Sequence, residues 1–154
     1  LKLNFIEKII GSGFFTGYSP FASGTVASFL ALLIYLFVPE FSNPTLMMLI
    51  ISFLLLIGVK LAVKFEFVYG KDPKQFTLDE FIGSWISFLF LPKKLWFVIP
   101  VFLIWRIIDI YKPFPIKKME NYKNGWGVLL DDVVAGFYSF FIIQISIHII
   151  NRFV

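Results

Sequence analysis

Five apolar stretches divided by polar loops run the length of this 154-residue chain, and they leave it few ways to fold. They predict helices over about Gly24–Val38, Thr45–Val63, Leu78–Leu91, Leu95–Ile110 and Val128–Ile150. Thr45–Val63 matches the roughly 20 apolar residues that a hydrocarbon layer of about 30 Å requires. The chain is 58% hydrophobic, 20% aromatic and only 16% charged, with mean hydropathy +0.84. A soluble domain is about half apolar and a quarter charged. The reading is therefore an all-α, polytopic membrane helical bundle of about four or five membrane-embedded helices, forming a single domain over residues 1–154. Leu1–Ile10 is expected to lie as a short interfacial helix with Lys2, Glu7 and Lys8 toward water. It has no small-residue cleavage site after it and does not read as a cleaved signal. The third and fourth helices are short for an upright crossing, so their hairpin is expected to lie deep without fully crossing. Pro100 is expected to kink the fourth.

Against this background the carboxylates stand out. Asp79-Glu80 sits in FTLDEFIGSW, Asp131-Asp132 in GVLLDDVVAGF and Asp109 in WRIIDIYKPFP. Acids next to lipid-like sequence are costly, so each is a functional-site hypothesis. Adjacent acids also repel, and a bound cation or a proton is the simplest compensation. Each has a plainer reading. Asp79-Glu80 suits a helix N-terminus, with Thr77 as its cap. Asp109 lies three residues after Arg106 on one helical face and suits a buried ion pair.

The connections tie these acids together. If the first helix leaves the face that carries the Gly/Ser-rich loop Gly11–Thr25, the second returns to it. The third then departs just after Asp79-Glu80, the fourth comes back at Asp109, and the last departs at Asp131-Asp132. All five acids and the loop thus converge on one membrane face. Lys93, Lys94 and Arg152 fall on the opposite side, and the remaining Lys and Arg fall on the acidic side or in the amphipathic start. By the positive-inside rule the acidic side is cytoplasmic. The net charge of +4 speaks to orientation and anionic lipid before nucleic acid.

Five carboxylates on one face match a hard cation, which takes oxygen ligands; Mg²⁺ shares such sites with substrate phosphates. The loop GSGFFTGYSPFASGT opens onto a helix, where backbone N–H groups can hold phosphate, or it is a plain turn at the membrane edge. Lys112 in KPFP either neutralises phosphate or snorkels. The chain has no cysteine, and its one histidine, His148, is far from the acids. Cysteinyl-phosphate, phosphohistidine and Ser/His/Asp chemistry are thereby disfavoured, and metal-carboxylate chemistry is the route left.

Four blocks then carry a resemblance: GSGFFTGYSPFASGTVAS, KDPKQFTLDEFIGSW, RIIDIYKPFPI and NGWGVLLDDVVAG. In this order, with the acids in register, the chain resembles the phosphatidylglycerophosphatase A family over nearly its whole length. Ala27, Asn124 and Ser23 depart from the usual family residues and bear only on loop shape. The resemblance implies a Mg²⁺-dependent lipid phosphatase of the bacterial inner membrane. Its substrate would be phosphatidylglycerol phosphate, and its products phosphatidylglycerol and inorganic phosphate. Carried over, Asp79, Glu80, Asp109, Asp131 and Asp132 are the catalytic acids, with Asp79, Glu80, Asp131 and Asp132 as metal ligands. Arg106, Lys112, Ser19 and Thr25 are expected to hold the substrate phosphate. Asp109 either positions Arg106 or takes part directly. Two alternatives stay open: a small ion- or proton-coupled transporter using the same acids, and a lipid phosphatase for another substrate such as phosphatidic acid.

Overall fold

The computed structural model describes residues 2–153, and every regular element in that range is helical. Leu1 and Val154, at the ends of the expected interfacial segment and of the domain, lie outside the described residues. The helices are α1 (Phe5–Gly11), α2 (Ser23–Phe37), α3 (Pro44–Tyr69), α4 (Leu78–Ser87), α5 (Leu95–Tyr111), α6 (Ile116–Met119) and α7 (Trp126–Phe153). Single 3-10 turns lie at Thr16–Tyr18 and Pro39–Ser42. Local chemistry sets several starts. Asn4 caps α1 in a reciprocal box with Glu7, each side chain accepting from the other's backbone N–H at 2.8 and 3.0 Å. Asn43 accepts from Thr45 and Leu46 at the start of α3, with Pro44 in the first turn, where a missing N–H costs nothing.

Two boundaries differ from expectation. α3 continues to Tyr69 rather than ending at Val63, because its added turns are pinned from inside: Phe65 is fully buried, with its ring 5.3 Å from that of Phe76. α4 stops at Ser87 rather than Leu91. Phe90 takes a left-handed backbone (φ 59°), which turns the chain toward α5. The carbonyls freed past the end of α4 find side-chain donors: Tyr35 Oη donates to Leu91 O at 2.5 Å, and Gln144 Nε2 donates to Leu89 O at 3.2 Å. A helix end buried in apolar surroundings needs such partners.

α4 is the hub, with Phe81 through Phe88 all buried and α2, α3, α5 and α7 around it. Its closest neighbour is α7. A Cβ on Gly136 would stand 2.7 Å from the carbonyl oxygen of Gly83, and one on Gly83 would stand 2.8 Å from that of Asp132. Both positions therefore need glycine, and the pair lets two backbones meet. Gly58 does the same for α3 on a smaller scale, lying against Leu78 and Leu129.

Two helices, α3 and α7, have the length and composition to cross a membrane; α2, α4 and α5 are shorter. Only 28% and 17% of their most apolar windows are buried. A soluble core helix would be mostly buried. Here Leu49, Phe53 and Leu56 of α3 and Phe141, Ile145 and Ile149 of α7 face outward. Apolar exposure on this scale is what a lipid environment covers, and the protein is membrane-associated.

Candidate active site

Four elements bring the expected acids together. The first turn of α4 supplies Asp79 and Glu80, the last turn of α5 supplies Asp109, and α7 supplies Asp131 and Asp132, while the start of α2 closes the space. All five carboxylates line one cavity of about 240 Å³, with Ser23, Gly24, Asp72, Lys74 and Lys112 also in its walls. The convergence expected from the connections is met in space. Asp109, Asp131 and Asp132 are buried, and Asp79 and Glu80 are half-buried. Lys93, Lys94 and Arg152 lie at the opposite ends of α4, α5 and α7.

Two cations hold the acids in place. Arg106 Nη1 donates to Glu80 Oε2 at 2.6 Å and to Asp109 Oδ2 at 2.7 Å, bridging α4 and α5. Its Nη2 reaches Thr25 Oγ1 at 3.4 Å. Lys112 Nζ donates to Asp131 Oδ2 at 2.6 Å and to Glu120 Oε1 at 2.7 Å. Burial by itself would lower the pKa of Lys112. The hydrogen bonds it donates to Asp131 and Glu120 outweigh this, so the ammonium is held above its usual value and stays charged. Lys112 comes from the left-handed cap of α5 (φ 43°), which turns the chain away so that the side chain can reach α7.

Some expected roles look different once placed. Thr77 makes no capping hydrogen bond to α4; its hydroxyl pairs with Thr16 at 3.1 Å, tying the N-terminal loop to the site. Ser19 lies outside the cavity lining, and its hydroxyl donates to Phe21 O at 2.9 Å within the loop. Thr25 and Arg106 stand behind the acids rather than in the lining. Asp131 and Asp132 lie beyond the first turn of α7, so the helix N-terminus does not account for them.

Other contributors had no contact to the acids foreseen in the sequence. Ser28 donates to Glu80 Oε2 at 2.7 Å. Gly24 lets the start of α2 close on Glu80, since a Cβ there would stand 2.0 Å from Glu80 Oε1. Glu120 shares Lys112 with Asp131. Ser28 and Glu120 are ordinary residue types in ordinary stretches, which only the folded contacts mark; Gly24 lies in the Gly/Ser-rich loop.

The donor set suits a hard cation. It is all oxygen, its five carboxylates exceed the charge of Arg106 and Lys112, and Asp131 Oδ1 is buried with no hydrogen-bond partner. Among the described residues no three acids stand as a ready-made metal cluster.

The model of the family described as phosphatidylglycerophosphatase A matches residues 9–147. A protein of Bacteroides thetaiotaomicron, provisionally named a phosphatidylinositol-3-phosphatase, is 40% identical over 93% of this chain and 94% of its own. The phosphatidylglycerophosphatase A of Escherichia coli is 35% identical over 90% of this chain and 82% of its own. That of Haemophilus influenzae is 28% identical over 92% and 90%. No solved structure matches.

Proposed function

The chain belongs to the phosphatidylglycerophosphatase A family, and we propose that it removes the terminal phosphate of phosphatidylglycerol phosphate, releasing phosphatidylglycerol and inorganic phosphate. The observation that carries this reading is the convergence of five carboxylates on one cavity, with Lys112 in its wall and a buried, unpartnered oxygen on Asp131. The site belongs at the cytoplasmic face of the bacterial inner membrane, in a multi-pass chain. Lys93, Lys94 and Arg152 mark the far side, and most of the positive charge flanks the acids. α3 and α7 cross, and the α4–α5 hairpin is embedded beside them.

Asp79, Asp131 and Asp132 are the residues best placed to hold Mg²⁺, with Glu80 behind them. When bound, Mg²⁺ supplies positive charge next to the phosphate oxygens and offsets what develops there during transfer. Lys112 adds a fixed charge directed at the same space. Arg106 acts through Glu80 and Asp109, keeping both oriented, and Ser28 steadies Glu80 from the other side. Glu80 or Asp109 takes a proton from the attacking water as the phosphorus–oxygen bond to the glycerol breaks and that oxygen leaves with a proton. Alternatively a carboxylate displaces the glycerol oxygen, and water then hydrolyses the acyl phosphate to free phosphate. The apolar flanks of α3 and α7 let the acyl chains stay in the bilayer while the headgroup reaches the cavity.

The relative named for a phosphatidylinositol phosphate favours a second headgroup reading, in which the same site acts on an inositol lipid. Ion or proton transport is the weaker alternative, because the acids gather at one end of the helices and family membership points to hydrolysis.

Phosphate release from phosphatidylglycerol phosphate by the purified chain in detergent tests the proposal, with Mg²⁺ and with chelator. Release that stops on chelation and returns with Mg²⁺ is expected. A folded protein that releases none under any metal condition sinks it. Phosphatidylinositol 3-phosphate and phosphatidic acid, run in parallel, rank the headgroups.

A further inference from the structure

A second polar cavity, of about 250 Å³, adjoins the first. It lies between the end of α3, the loop after it, and the segment leading from α6 into α7. Its polar lining is Glu66, Lys71, Asp72, Glu120, Tyr122 and Asp131. Asp72 and Asp131 line both cavities, so the two share a wall. Asp131 in that wall is only 6% exposed, and its Oδ1 has no hydrogen-bond partner. Glu120 is fixed there by backbone packing: a Cβ on Gly127 would stand 2.8 Å from the carbonyl oxygen of Glu120, so only glycine lets that segment close on α7.

Charge says what this space accepts. Four carboxylates face Lys71, while Lys112 is already shared between Glu120 and Asp131. A phosphate is repelled there. Carboxylates only accept hydrogen bonds, so they suit the hydroxyl donors of a neutral polyol, and Tyr122 adds a group that can donate or accept.

The arrangement around α7 fits this reading. Trp126, Leu130 and Val133 form one face of the helix and line an apolar groove against Leu55, Leu56 and Val59 of α3. Gly127, Val128 and Asp131 form the next face and line the second cavity. Asp131 and Asp132 turn toward the first. Apolar groove, second cavity and first cavity thus follow one another around a single helix, in the order of a lipid's tail, polyol and terminal phosphate. The groove wall carries Lys60 on the tail side, where the phosphodiester that joins tail to polyol has to pass.

We propose that the second cavity seats the polyol of a lipid headgroup, a glycerol or a cyclitol, while its phosphate monoester lies in the first. The inference rests on the phosphatase reading above and deepens it. It makes Glu66, Glu120 and Tyr122 specificity-determining residues, and it sets polyol lipid phosphates apart from phosphatidic acid, which has no polyol to seat.

The test uses the full chain in mixed micelles. It compares KM for phosphatidylglycerol phosphate with KM for phosphatidic acid, or with the inhibition constant of phosphatidic acid where it is not turned over. Equilibrium binding of phosphatidylglycerol is measured alongside. Glu66→Gln and Tyr122→Phe should each raise KM for the polyol substrate and weaken phosphatidylglycerol binding by up to about tenfold. Their kcat and their constants for phosphatidic acid should stay at the wild-type level. Unchanged KM and binding in both variants overturns the seat, and so does an equal rise on both lipids. A wild type that releases phosphate from no lipid tells against the phosphatase reading alone; phosphatidylglycerol binding by wild type and variants then decides the seat.

Discussion

The two halves of α7 face different solvents, although they are one continuous helix. In the first half Leu129, Asp131, Asp132, Val133, Ala135 and Ser139 are buried, and the backbone at Gly136 touches α4. In the second half Phe141, Ile145, Ile149 and Ile150 are each about half exposed or more, and among the described residues Ile143 is the buried exception there. The first half is positioned by protein contacts and carries two acids of the proposed site. The second keeps one side, with Ile143 and Gln144, against the bundle and presents the rest as apolar surface, as lipid contact demands. Hydrophobicity alone does not separate them; backbone closeness and paired charge do.

That contrast can be broken from the buried side first. Gly136→Leu forces a side chain into the carbonyl of Gly83 and should cost about 3 kcal/mol, read as a lower unfolding temperature in detergent together with lost activity. Asp131→Asn keeps the shape and removes the charge. It should lower phosphate release at least about a hundredfold while expression and unfolding temperature stay near wild type. Unchanged turnover would remove Asp131 from the site. Ser28→Ala takes one hydrogen bond from Glu80 and should cost about 1 kcal/mol, seen as a several-fold loss in kcat/KM. Ile145→Ala, in the lipid-facing half, should shift stability by no more than about 0.5 kcal/mol and leave turnover intact. A loss there comparable to that of Gly136→Leu would show that the outward side of the second half, where Ile145 lies, also meets a protein surface.

Much of this contrast is legible in the sequence, but unevenly. The apolar stretches mark α2, α3, α5 and α7 because helices in lipid must carry long uncharged runs. The five acids are legible because such runs make a charge conspicuous, and the order of connections brings them to one end. The extra turns of α3 are not legible: KFEFVY reads as polar until Phe65 is seen packed inside against Phe76. The early end of α4 is hidden too, since FLFL continues the apolar pattern while Phe90 turns left-handed. In the site, the pairing of Arg106 with Asp109 follows from helical spacing, yet its second bond to Glu80 crosses between helices and has no local trace. Glu120 and Ser28 are invisible for the same reason. Gly83 and Gly136 look like helix-weakening residues until the α4–α7 contact gives them a purpose.

The tip of the α4–α5 hairpin, where Tyr35 and Gln144 donate to the carbonyls of Leu91 and Leu89, bears on how the whole site can move. A hairpin with a free tip could rock on its own and carry Asp79, Glu80 and Asp109 with it. This one is moored at its far end to α2 and α7, while Arg106 and the glycine contact fasten its near end. It therefore swings only if its neighbours swing, and the acidic floor of the cavity behaves as one stiff raft, with adaptation to different lipids left to the loops around it.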